Sequence, residues 1–145
     1  MGNKLKIKDK RFKIKDKKFK METGINKQKN DFKTRTYLWT LALVKLIEKM
    51  PKSVFGEVVS KQVLRSGTSI IANYIEAKAA SSRKDFTNFF NYSLKSANES
   101  KVWLALIRDT TNNQKIKTEA KKLLGELEEI AKILGASLLK LRGRK

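Results

Sequence analysis

The last thirty residues of the chain carry its most restrictive pattern. Ile116, Ala120, Leu123, Leu127, Ile130, Leu134, Leu138 and Leu141 follow one another at intervals of four and three, alternating with one exception. That spacing places all eight on one stripe of an α-helix, and a seam of this length must be covered by other helices. The chain ahead of it supplies them.

Phe86, Phe89, Phe90, Leu94, Ala97, Leu104 and Ile107 predict a third helix, which ends near Asn112 and Asn113 in a turn. Phe55, Val59, Val63, Ile70, Tyr74 and Ala77 predict a second, capped by Ser53. Gly67 lies inside it at a cost of about 1 kcal/mol relative to alanine, so close helix approach or a bend is its expected reason. Ala79, Ala80, Ser81 and Ser82 break the pattern, and Ser82 with Asp85 resembles a capping box with Asp for Glu. Tyr37, Leu38, Leu41, Leu43, Val44, Leu46 and Ile47 predict a first helix that stops at Met50, before Pro51. Trp39 and Leu43 fall off its main face, and that surplus apolar surface predicts a second packing partner. Short connections make sequential helices antiparallel, so residues 31–145 are expected to form an all-α, up-down-up-down antiparallel four-helix bundle.

Residues 1–30 read differently. KIKDKRF at 6–12 is repeated almost unchanged as KIKDKKF at 13–19, and Ile7, Phe12, Ile14 and Phe19 follow neither helical nor strand spacing. Nothing there buries enough surface to offset roughly 1–2 kcal/mol per ordered residue, so a disordered basic tail is expected. It serves either as a solvated appendage or as an accessory arm for phosphate, and Met21 is an alternative translation start.

Charge narrows the partner. The net charge is +20, and residues 21–145 alone retain +12, which favours polyanionic partners: RNA, DNA or an anionic membrane surface. Cysteine and histidine are absent, removing thiolate chemistry, the usual zinc ligands and the commonest neutral-pH base. There is no P-loop, GxGxxG, GxSxG or HExxH stretch. A non-enzymatic protein without cofactor or metal is expected. No apolar run reaches the roughly 18 residues of a membrane span and no signal peptide is evident, so a cytoplasmic location off the membrane is expected.

Residues 62–107 carry a family resemblance. Arg65-Ser66-Gly67-Thr68-Ser69, Ala72-Asn73-Tyr74, Glu76-Ala77, Asp85-Phe86, Glu99 and Trp103-Leu104 occur in the order and spacing of one bacterial four-helix-bundle family. It is encoded in intervening sequences of 23S ribosomal RNA genes and includes relatives of the accessory protein of diversity-generating retroelements. The resemblance implies a left-handed bundle assembling into a ring, commonly a homopentamer, with a basic surface and proposed nucleic-acid binding. Ile71, Ile75 and Ala105 depart from the family, which often has Gly, Arg and Arg there.

Two groups of polar residues are candidates. Arg65, Asn73, Glu76 and Glu99 lie on or beside apolar stripes, and a buried network pairing Arg65 with a carboxylate of a facing helix is expected, because an unpaired buried ion costs several kcal/mol. Glu76 and Glu99 as an acid/base pair or metal site is the weaker alternative. Lys78, Arg83 and Lys84 flank the turn after the second helix, whereas Arg142, Arg144 and Lys145 finish the chain. These two basic clusters are the candidate nucleic-acid contacts, expected at opposite poles of the bundle, with solvated helix ends as the alternative. Trp103 and Tyr92 share a face, expected in the core or a subunit interface, with base stacking as the alternative. The reading that results is an oligomeric bundle binding structured nucleic acid. The competing one is an interaction scaffold for a protein such as a reverse transcriptase.

Overall fold

The structure is a computed structural model and describes residues 31–143. The tail expected over 1–30, and the candidates Arg144 and Lys145, lie outside the described residues. Among the described residues four helices follow in order: α1 Phe32–Glu48, α2 Val54–Ala79, α3 Arg83–Thr110 and α4 Gln114–Gly143. The chain divides after Arg35 into two units. In the first, Asp31 opens α1: its carboxylate accepts from the Lys33 backbone N–H at 3.0 Å and the Thr34 hydroxyl at 3.2 Å.

Within the second unit the helix starts are set by local chemistry. Ser53 and Ser82 adopt extended backbone and accept from the N–H groups of Gly56 and Asp85, as their sequence positions predict. Asn113, expected only as a turn residue, also starts a helix: its Oδ1 accepts from the N–H groups of Lys115 at 2.9 Å and Ile116 at 3.2 Å. Such side-chain acceptors replace the i−4 carbonyls that the first turn lacks.

The helices close into a four-helix bundle, with α3 packed on both α2 and α4. The α4 seam is buried from Ile116 to Leu138, joined by Leu124 and Ala131, while Leu141 is half-buried. α1 corrects the sequence reading. Trp39 and Leu43, assigned to a surplus face, are its core together with Leu46, and Leu41 points outward. The misreading has a cause: apolar residues nearly encircle α1, so periodicity could not choose the face. Gly67 chose it. A Cβ there would collide with Leu43 Cδ2 and touch the Trp39 ring at 3.4 Å, so glycine lets α1 and α2 approach closely. The Trp39 indole N–H then donates to the Leu123 carbonyl at 2.9 Å, tying α1 to α4. Phe55, placed in the core by its spacing, is instead 44% exposed beside the helix start.

The α2–α3 seam is built from hydroxyls. Ser66 and Ser100 are buried and share a hydrogen bond of 2.7 Å, Ser93 donates to the Ile70 carbonyl at 2.7 Å, and Ser96 donates to Ser69 at 3.0 Å. Small side chains bring these two helices together, and each hydroxyl finds a partner, as burial requires.

Candidate nucleic-acid interface

The expected polar network is present in part, but it lies at the surface. Arg65 Nη2 forms an ion pair with Glu99 Oε2 across α2 and α3, and the same carboxylate oxygen accepts from Trp103 Nε1 at 2.9 Å. The pairing agrees with the sequence reading and the burial does not: the side chains are 59% and 39% exposed. Long side chains beside an apolar stripe reach outward over its rim, so adjacency in sequence does not imply burial. Asn73 stays within α2, donating to the Ser69 carbonyl and hydroxyl at 2.9 and 2.8 Å, and Glu76 is exposed. These four residues therefore do not form one network.

Around this ion pair lies exposed apolar surface. One register pairs Arg65 with Glu99, and seven residues along each antiparallel helix it brings Val58 of α2 opposite Leu106 of α3. Both are exposed, as are Val102 and Tyr92, and Trp103 is half-buried. Trp103 and Tyr92 therefore belong to the outer α2–α3 surface and not to the core.

The basic clusters were expected at opposite poles, and the structure overturns that. Arg83 Nη2 donates to the Leu141 backbone carbonyl at 2.6 Å, which brings the α2–α3 corner and the end of α4 together. The reason is topological: in an up-down-up-down bundle the second and fourth helices run the same way, so their C-termini share one end. Lys78, Arg83, Lys84 and Arg142 are all exposed there. Lys140, in the last turn of α4, joins them and was missed; its place two residues before Arg142 was the available signal.

Two of these cations are held by the fold. Lys78 Nζ lies 5.5 Å from the Tyr74 ring centroid and 5.7 Å from that of Phe86, over rings that pack on Phe90. Its charge is thus fixed by π faces, which leave the ammonium's outer side open to an anion. Arg83 is fixed by the carbonyl of α4. Lys78, Lys140 and Arg142 also sit in last turns, where the negative end of the helix dipole favours cations. Asp85 is the acidic residue in the first turn of α3.

At the other end of the bundle cations meet carboxylates. Lys49 pairs with Glu119 at 2.6 Å, and Arg108 with Asp109 at 2.8 Å. Asp109 is held below the usual carboxylate range, first by its hydrogen bond to Arg108 and further by the charges of Arg108, Lys117 and Lys121. Between the two loops there lies a groove of about 560 Å³, bounded by Met50, Phe55, Ile107, Thr110 and Asn112 among others. Among the described residues no group of three or more carboxylates could hold a metal ion, and no helix is long and apolar enough to cross a membrane.

The comparisons agree on the family. The 23S rRNA-intervening sequence protein family matches residues 28–136. A solved structure from Bacteroides thetaiotaomicron, described as a protein of unknown function from the S23 ribosomal protein family, is similar at 34% identity and a TM-score of 0.66. That likeness covers 74% of this chain and 98% of the other. Comparison with curated proteins gave no match. With three-quarters of its length matched and its bundle shared with a solved relative, the chain belongs to the 23S rRNA-intervening sequence protein family.

Proposed function

We propose that the protein is a non-enzymatic, cytoplasmic, homo-oligomeric bundle that binds structured RNA through phosphate charge and shape. The observation that carries this reading is the gathering of Lys78, Arg83, Lys84, Lys140 and Arg142 at one end of the bundle, where rings and a backbone carbonyl hold two of them. Cations gathered at one end of a bundle attract polyanions, and each phosphate neutralised releases counterions. In a ring of copies, a pentamer by the resemblance, the patch is repeated by symmetry, so weak contacts add up to one salt-sensitive site. RNA is preferred to DNA because the family is named for inserts in an rRNA gene.

The exposed apolar surface of α2 and α3 favours a second reading, in which the oligomer is a scaffold for a protein partner such as a reverse transcriptase. A surface of Val58, Tyr92, Val102 and Leu106 suits protein contact better than phosphate.

The test compares a chain starting at Met21, binding its adjoining rRNA-insert RNA and a scrambled hairpin of equal length at two salt concentrations. Tighter cognate binding that survives higher salt supports recognition by the bundle. Equal, salt-labile binding to both hairpins moves the scaffold reading ahead.

A further inference from the structure

We infer that Arg83 is a positioning residue, whose guanidinium anchors the C-terminal turn of α4 at the α2–α3 corner so that Lys140 and Arg142 act with Lys78 and Lys84 as one anion-binding patch. What the patch binds rests on the RNA reading above.

The ends of the helices show why an anchor matters. The last four carbonyls of an α-helix have no partner inside it. α2 and α3 close their ends locally: the Ala80 N–H returns to the Ala77 carbonyl and the Thr111 N–H to that of Ile107. At the end of α4 the Leu141 carbonyl is met from a different helix, by Arg83 at 2.6 Å. Arg83 is itself well placed to reach it. It is the first residue of α3, directly after Ser82, whose hydroxyl accepts from the Asp85 N–H and fixes that turn.

The anchor also opposes repulsion. Among the described residues four further cations share this end, and like charges favour a frayed α4 terminus that would carry Lys140 and Arg142 away. A charged hydrogen bond to a carbonyl at the negative end of the helix dipole holds them in place. Lys78 makes the matching link one step earlier, joining α2 to Phe86 of α3. The patch is thus fastened helix to helix by cations, which carry charge and hold geometry together.

Arg83 and its neighbour Lys84 separate the two roles, since Arg83→Ala and Lys84→Ala each remove one exposed charge from the same turn. Both variants of the full chain are titrated with the rRNA-insert hairpin, and backbone hydrogen exchange is followed over residues 138–143. Arg83→Ala is expected to weaken binding about tenfold and Lys84→Ala about two- to threefold. Only Arg83→Ala is expected to speed exchange at the end of α4, by about fivefold. Unchanged exchange in Arg83→Ala overturns the anchor whatever the RNA does, and equal loss of affinity in both variants reduces Arg83 to a plain charge. Faster exchange with RNA affinity untouched in both variants leaves the anchor standing and overturns the RNA reading of the patch.

Discussion

The two ends of the bundle contain cations in different states. At the loop end Lys49 and Arg108 each meet a carboxylate, and Asp109 feels Lys117 and Lys121 as well. At the end where α2 and α4 finish, Lys78 is held by rings and Arg83 by a carbonyl, while Lys84, Lys140 and Arg142 are exposed. Rings orient a cation without neutralising it, whereas carboxylates do both. Residues 31–143 carry a net charge of +9, but the count does not say which part of it faces outward unopposed.

The largest expected effect tests that difference directly. Neutralising Lys84 and Arg142 together, by Lys84→Gln with Arg142→Gln, lowers affinity for the rRNA-insert hairpin about tenfold and flattens the salt dependence. Neutralising Lys49 and Arg108 in the same way lowers it less than threefold, because their carboxylates already screen them. Equal losses in a filter-binding titration would mean that charge acts by number alone.

Next come the caps, one at each end. Ser53→Ala and Ser82→Ala are each expected to lower unfolding free energy by about 1 kcal/mol in urea melts, since both remove a single acceptor from a first turn. A much larger cost at Ser82 would show that the basic end depends on its corner more than the opposite end does.

Smaller effects distinguish the modes of holding. Lys49→Ala breaks an exposed pair and costs about 0.5 kcal/mol or less, vanishing at high salt. Lys78→Ala removes a cation from two rings, costs about 0.5–1 kcal/mol and keeps more of that cost at high salt. Melts at two ionic strengths check both.

The smallest effect concerns pH. Asp109 is depressed in the folded state, so its stabilising contribution is present above the unfolded value of about 3.9 and is lost as pH falls through the folded value. An NMR titration should place its carboxyl below an ordinary aspartate, and Arg108→Gln should move it upward. An Asp109 titrating at the ordinary value would remove one of the two neutralised cations from the comparison.

Helix number, order and most boundaries were legible before any coordinate, because the α4 seam, the serine caps and Pro51 act through local geometry. That Arg65 meets a carboxylate of a facing helix was legible as well, through the need of a charge beside an apolar stripe for a partner. Its exposure was not, since spacing says which side of a helix a residue is on but not how far its side chain extends. α1 failed for the opposite reason: with apolar residues around most of its circumference, only the space left by Gly67 selects Trp39 and Leu43 as core. Ser66, Ser93 and Ser100 were passed over because hydroxyls do not register in an apolar pattern, although their partners across the seam satisfy them. The gathering of cations at one end was half legible. Lys78, Arg83, Lys84 and Arg142 were named and Lys140 was not, and their common location depended on following chain direction through four helices.

The sequence by itself determined an all-α bundle, its two serine caps, its surplus of positive charge and its family, because helical period, capping chemistry and motif spacing are properties of neighbouring residues. Only the tertiary structure decided which face of α1 is core, that Arg65 and Glu99 meet in the open, and that the cations of α2, α3 and α4 share one end. Each of those depends on what a second helix brings alongside, and a distance between residues 58 positions apart, such as Arg83 and Leu141, exists only once the chain has folded back on itself.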